Sequence, residues 1–427
     1  MRLYDTSSRS HVELPPPPGP VRMYFCGPTV YARAHIGNAR PFVLGMWLRS
    51  WLRLTGYEAV LVHNITDIND KIYDAAPGAS AALAADATRW YLEDTGDLGL
   101  GMPDHLPRAT ETVPEIVTFI GALIDSGHAY ESGGDVYFRV AGFPEYGRLS
   151  GQRPDQVEAQ EEPSPLKQDP RDFALWKANK PETEDTWWDS PWGRGRPGWH
   201  IECSVMAEEL LGPAFEIHGG GLDLVFPHHE NEVAQSRSLG HPFARIWMHN
   251  GMLRPAGGEK MAKSLGNFET LRDALDRWGR ETLLVFFLTG HWRKPIDYSD
   301  ETVAQSAAQW SSFQEVYRVP EATPDDGEWS RLTAALDDDF NTPEALALLH
   351  EWRGKGYWDL LDRGLAVFGL GLGERPQADQ EIEQLRRERD DARGRKDWRR
   401  ADELREAIRG RGFDVVDEPA GSRLVPL

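Results

Sequence analysis

Three scarcities bound the reading of this 427-residue chain. It has two cysteines only, Cys26 and Cys203, 177 positions apart. A disulfide framework is therefore excluded, and a reducing, cytoplasmic location is expected. It has no run of about 18 apolar residues, so no membrane span is predicted. The opening Met1-Arg2-Leu3-Tyr4-Asp5 lacks the apolar stretch of a secretory signal. Positive charge is in deficit: 47 Lys and Arg stand against 68 Asp and Glu, a net charge of −21. Such a chain repels polyanions at long range, so any nucleic-acid contact needs a local basic face.

What is present describes a globular protein. Hydrophobic residues make up 40% and charged residues 27%, and the length fits two or three domains. Residues 1–20 are polar and end in a proline run, which reads as a stiff arm. Val21–Cys26 is a short β-rich run stopped by Gly27-Pro28, and Ala39–Thr55 carries a wide apolar stripe at helical spacing. Ala59–Val62 is a continuous apolar run, as in a strand buried on both faces. Strand, helix and strand within about 40 residues predict a right-handed βαβ unit in a parallel sheet. Residues 111–125 read as a helix, and Val136, Phe138 and Val140 alternate as in an antiparallel strand. Residues 150–172 read as a surface loop. The β pattern returns at Phe215–His218, followed by a predicted Gly219-Gly220-Gly221 turn, a helix opening at His228 and a short strand at Ile246–Met248. Beyond about residue 300 strand signals vanish, and helices are predicted at 301–317, 329–337, 342–352 and 382–409. Residues 386–411 hold 11 basic and 7 acidic side chains, a local +4. That stretch reads either as a solvated helix face with i,i+4 pairs or as a polyanion-binding surface.

Three groups of residues carry chemistry. The turn Pro28–Asn38 lies between strand and helix, where a doubly wound sheet binds ligands. The helix N-terminus suits phosphate, Gly37 allows close backbone approach, and His35 can donate hydrogen bonds, although a single histidine in a turn can equally be an ordinary surface residue. Lys260-Met261-Ala262-Lys263-Ser264 lies in a Gly-rich loop that could clamp a polyphosphate. Cys26, Cys203, His228 and Glu232 are all ligand types for zinc, with His228 and Glu232 four apart on one helix face. Spacing alone leaves His229 and Glu230 as competing candidates.

These segments resemble cysteinyl-tRNA synthetases, of the class I aminoacyl-tRNA synthetase family. Cys26-Gly27-Pro28-Thr29-Val30-Tyr31 with His35-Ile36-Gly37-Asn38 is similar to that family's HIGH motif, and Lys260-Met261-Ala262-Lys263-Ser264 to its KMSKS motif. Gly198-Trp199-His200-Ile201-Glu202-Cys203-Ser204, His218-Gly219-Gly220-Gly221 and Phe226–Glu232 match nearly letter for letter. So do Thr66-Asp67-Ile68, Leu175-Trp176-Lys177 and Asp338–Pro343. The resemblance implies an α/β fold: a Rossmann-like parallel sheet, an inserted α+β connective region and a C-terminal helical domain. The implied boundaries are 1–110 and 198–250 for the catalytic halves, 111–197 for the insertion, 251–300 for the KMSKS-type loop and stem-contact region, and 301–427 for a shortened helical tRNA-binding domain.

The resemblance also implies roles. Zinc ligands fall on Cys26, Cys203, His228 and Glu232, which decides against His229. Catalytic residues fall on His35, Asn38, Lys260 and Lys263, and further ATP contacts on Pro28, Thr29, Gly37, Gly220, Asp223 and Ser264. Gly27, Thr29, Trp199 and His218 would face the amino acid. One Zn²⁺, and Mg²⁺ with ATP, would be the cofactors; ATP, L-cysteine and tRNA(Cys) the partners; and the enzyme a monomer. Two departures stand out: Ala262 replaces the serine of KMSKS, and Asn69 stands where aspartate is usual. Two rival readings share the core: a cysteine ligase of mycothiol biosynthesis, which uses an amino-sugar acceptor, and a non-catalytic paralogue.

Overall fold

The computed structural model describes residues 1–152, 164–255, 269–418 and 421–427. Lys260, Ala262, Lys263 and Ser264 lie outside the described residues. The chain opens on an antiparallel hairpin, β1 (Arg2–Asp5) and β2 (Ser10–Glu13), and not on a polar arm. Leu3 and Asp5 alternate inward, and Asp5 accepts hydrogen bonds from the backbone of Ser7, Ser8 and Trp247. An aspartate thus fills an inward position, satisfied by backbone N–H groups.

β3 (Pro20–Phe25), α1 (Ile36–Leu54) and β4 (Glu58–His63) form the predicted βαβ unit. α1 begins three residues before its apolar stripe because His35 takes extended N-cap dihedrals and Asn38 turns back to it. The helix stops at Thr55, and Gly56 takes a φ of 94°. Two helices, α2 (Asp70–Ala75) and α3 (Ser80–Gly96), follow. Asn69 caps α2 by accepting from Lys71 N–H at 3.1 Å. Aspartate would cap equally well, so the departure leaves this helix start intact.

The insertion is α+β, as expected. α4 (Val113–Asp125) packs with an antiparallel sheet of β5 (Ala129–Ser132), β6 (Asp135–Phe138), β7 (Phe173–Ala178) and β8 (Gly195–Pro197), in that order. Val140 lies in a 3₁₀ turn just after β6 and not within the strand. The parallel sheet then resumes through α5 (Trp199–Leu211), β9 (Ala214–Gly221), α6 (Glu230–Ser238) and β10 (Phe243–Asn250). Its order is β10-β9-β3-β4, so the chain departs from β3 in both directions and creates a switch point at the strands' carboxyl ends. Gly219, Gly220 and Gly221 are not a turn; they are the end of β9, paired with Met248, His249 and Asn250. A Cβ on Gly219 would stand 2.4 Å from the Phe25 ring, so glycine is required by packing across strands.

Beyond the sheet run β11 (Leu253–Pro255), α7 (Leu271–Trp278), α8 (Arg280–Leu288), β12 (Ile296–Tyr298) and α9 (Asp300–Gln314). Then come α10 (Glu328–Asp337), α11 (Thr342–Lys355), α12 (Trp358–Ala366), α13 (Gln380–Gly394) and α14 (Trp398–Arg409). The chain ends on a hairpin, β13 (Phe413–Glu418) and β14 (Gly421–Pro426), where only helix was expected. The hairpin forms because Phe413 and Val415 alternate inward onto Ile382 and Ile408. Two compact units result. The first comprises 1–307, 333–345 and 367–369, and the second 308–332, 346–366 and 370–427.

Within the second unit the basic stretch is largely neutralised. Arg389 and Arg393 pair with Asp417, Arg405 and Arg409 with Asp414, and Arg411 with Glu381. Arg387, Arg395 and Lys396 have no acidic partner among the described residues, and Trp398, with Arg393 over its ring, is 56% exposed.

Candidate active site and metal centre

The switch point gathers side chains from four elements. Cys26 follows β3, and Cys203 lies on the second turn of α5. His228 sits in a wide i→i+5 turn, Val225–His229, that runs directly into α6, and Glu232 lies in the first turn of α6. The α-helix proper therefore opens at Glu230, two residues after the predicted start. The continuous winding still brings His228 Nε2 to 3.0 Å from Glu232 Oε1. Cys26 Sγ lies 3.9 Å from Cys203 Sγ and 3.9 Å from Glu232 Oε1. One donor atom from each of the four residues lies within 4.8 Å of every other, and all four residues are buried.

This donor set fits zinc. With Zn–S near 2.3 Å, two thiolates on a tetrahedral ion stand about 3.8 Å apart, and a thiolate and a carboxylate oxygen about 3.6 Å apart. A second set, Cys26, His218, His229 and Glu232, meets the same proximity criterion. There His229 Nε2 is 4.0 Å from Glu232 Oε1, longer than the edge of about 3.4 Å that co-ligation requires. The first set also brings both thiols, the softer donors.

The electrostatics suit positive charge among these donors. Burial pushes the Cys26 thiol well up. Burial raises Cys203 too, but the hydrogen bond from Cys26 and the charge of His228 outweigh it and pull it down to about 6. Glu232 is held at about 2 against its burial by His218 and His228. Two thiols and a carboxylate in one dry pocket cannot all ionise unless positive charge joins them.

The phosphate side is built on α1. His35 N–H faces Asn38 Oδ1 at 3.3 Å. Burial lowers the His35 pKa, offset in part by Asp223, so the imidazole is neutral and can present an N–H at physiological pH. Gly27 N–H donates to Asn64 Oδ1 at 2.9 Å, and Pro28 O accepts from Thr66 N–H at 3.1 Å. Thr29 bridges to Thr66. A Cβ on Gly220 would press on Leu224 and His229. Both ends of the segment carrying Lys260 and Lys263 are fastened to α1 or its cap. Arg40 donates to Gly251 O on one side, and Ile36 N–H donates to Glu269 O at 3.1 Å on the other.

The remaining expected contacts divide. Trp199 is half-buried and stacks on His228 with ring centroids 4.4 Å apart. His218 is fully buried and bonds Glu232 Oε2 at 2.7 Å, so it meets the donor set rather than an open surface. Sequence reasoning gave no role to His200, whose Nδ1 lies 3.0 Å from His228 Nδ1, nor to Arg40 and His249. The i,i+3 spacing of His200 and Cys203 could have flagged the first; nothing local flags His249, which arrives on a different strand.

Comparison with known proteins agrees with this architecture. Residues 15–308 match the family model described as the tRNA synthetases class I (C) catalytic domain, and residues 331–355 match the DALR domain. A cysteine--tRNA ligase of Brevibacillus brevis is 42% identical over 95% of each chain. One of Alkalilimnicola ehrlichii is 43% identical, again over 95% of each. A solved methionyl-tRNA synthetase of Mycobacterium tuberculosis, in complex with methionyl-adenylate, superposes with a TM-score of 0.56 at 15% identity. That match covers 87% of this chain and 84% of that one, a likeness of fold.

Proposed function

The chain belongs to the cysteine--tRNA ligase family of class I aminoacyl-tRNA synthetases, and from that premise we propose how its residues divide the reaction. ATP, cysteine and tRNA are the substrates that membership implies. The cysteine carboxylate attacks the α-phosphorus of ATP, giving cysteinyl-adenylate and pyrophosphate; a ribose hydroxyl at the tRNA terminus then attacks the activated carbonyl. No side-chain nucleophile is required, so catalysis rests on positioning and charge stabilisation.

Cys26, Cys203, His228 and Glu232 would hold one zinc ion. When bound, zinc supplies a soft Lewis acid that favours a thiolate over a hydroxyl. Trp199, stacked on His228, lines the approach to it, and Gly27 and Thr29 offer backbone and hydroxyl groups there. His218 fixes the second oxygen of Glu232. His35, Asn38, Gly37 and the N-terminus of α1 bind the inner phosphates, with Pro28, Gly220 and Asp223 shaping the nucleotide side. Lys260 and Lys263, with Ser264, meet the outer phosphates as pyrophosphate charge develops, and Mg²⁺ would enter on ATP itself. Segment 111–197 acts as the connective insertion. Arg387, Arg395, Lys396 and the exposed Trp398 form the face of the second unit best suited to a tRNA stem.

The observation that carries this reading is the buried two-thiol donor set at the carboxyl ends of β3 and β9. Pyrophosphate exchange with each amino acid, with and without a zinc chelator, tests it. Exchange that is cysteine-specific and lost on chelation is expected, with tRNA charging to follow. Zinc-independent exchange, or transfer to an amino sugar in place of tRNA, would overturn it.

A further inference from the structure

A continuous hydrogen-bonded chain runs from the N-terminal hairpin to the donor set. Thr6 lies in the turn between β1 and β2. Its N–H donates to Trp247 O at 3.0 Å, and Asp5 accepts from Trp247 N–H at 2.8 Å, so the turn is docked on β10 just before His249. Thr6 Oγ1 is 2.8 Å from His249 Nδ1. His249 Nε2 is 2.7 Å from His229 Nδ1, and His229 Nε2 is 3.3 Å from Cys26 Sγ. Both rings are buried, and all four of their nitrogens are engaged.

Only one proton fits between two ring nitrogens at that separation, so two neutral rings can be read in two directions only. In one, the Thr6 hydroxyl donates to His249, His249 Nε2–H donates to His229, and His229 Nε2–H donates to Cys26. In the other, every donor and acceptor is reversed, and His229 turns a lone pair toward the donor set as a ligand would. The 4.0 Å separation of His229 Nε2 from Glu232 Oε1 disfavours that ligand role.

We propose that Thr6 is a positioning residue whose hydroxyl donates to His249 Nδ1 and completes the relay in which His229 serves as an N–H donor to the Cys26 sulfur and stays out of the metal's ligand set. This rests on the zinc reading above. A donor to a ligating sulfur draws off part of its charge and fixes its direction. Outer partners of this kind are worth about 10–100-fold in metal affinity. Thr6 acts through two rings, so its loss belongs at the lower end.

The test compares zinc-loaded wild type with Thr6→Val, which removes the hydroxyl, and Thr6→Ser, which keeps it. Zinc release into excess chelator is measured alongside ¹⁵N spectra of labelled histidines and KM against kcat in pyrophosphate exchange. Thr6→Val is expected to release zinc about tenfold faster and to raise KM for cysteine but not for ATP, while Thr6→Ser behaves as wild type. His229 in the wild type is expected as the Nε2–H tautomer. Identical release from all three proteins, or an Nδ1–H tautomer at His229, would overturn the relay while leaving the zinc reading standing. A wild type that binds no zinc would overturn both.

Discussion

Replacing Cys203 by serine isolates what the second sulfur contributes. The thiol is 1% exposed and 3.9 Å from Cys26 Sγ, on the edge expected of two thiolates on one ion. Oxygen must approach zinc about 0.2 Å closer than sulfur does, yet the shorter C–O bond draws the donor back along α5. The serine hydroxyl also remains protonated, whereas Cys26 and His228 pull the Cys203 thiol down. A ligand is therefore lost, not weakened. Outer-sphere changes cost up to about 100-fold in affinity, so a lost ligand should cost at least that, or about 2.7 kcal/mol. The fold should suffer less, because the new hydroxyl can still bond within the cluster. Chelator competition measures the affinity, and cysteine-dependent pyrophosphate exchange measures the consequence: KM for cysteine should rise steeply while ATP binding is kept. One equivalent of zinc held at wild-type affinity, with unchanged KM for cysteine, would refute the assignment.

Three further outcomes are expected. Lys263→Ala should slow single-turnover adenylate formation by about 10²–10³, the cost of one lost transition-state charge contact, with cysteine affinity unchanged; an unaltered rate would dismiss the clamp. Gly27→Ala places a Cβ 1.7 Å from Asn64 O, which the backbone must move to relieve, so a loss of at least about 3 kcal/mol is expected by thermal or denaturant unfolding. Asp414 is held well below the usual carboxylate range by Arg405, with Arg409 adding to it. Its stabilisation is complete above about pH 4 and is lost as pH falls toward the lowered value. Melting curves of Asp414→Asn should therefore fall less steeply with acid than those of wild type.

The elements legible in the sequence were those whose signals are local. α1 showed its stripe, β3 and β4 their apolar runs, and the four metal-type residues their chemistry. The misreadings share a cause in tertiary packing. Gly219–Gly221 looks like a turn until the Phe25 ring occupies the space where side chains would stand. β1 carries an inward aspartate that the backbone N–H groups of Ser7, Ser8 and the distant Trp247 explain. The terminal hairpin hides behind charged residues because its acids, Asp414 and Asp417, answer arginines on α13 and α14. Together with Glu381, the same acids absorb most of the basic excess that the sequence displays. His249 and Thr6 were illegible for the plainest reason: their partners lie far away in the chain.

The descent of Cys26 and Cys203 from segments 177 residues apart has a kinetic side. β3 and β9 are neighbours in space, but everything from α1 through the insertion lies between them in the chain, so their pairing is the long-range contact that forms slowly. An ion gripping both thiols would close a loop of that length. It would act on the last event in assembly and not on the first. The metal-free chain should thus complete its first βαβ unit and its insertion unaided, and the ion should chiefly slow their separation. Zinc would appear in unfolding rates far more than in folding rates.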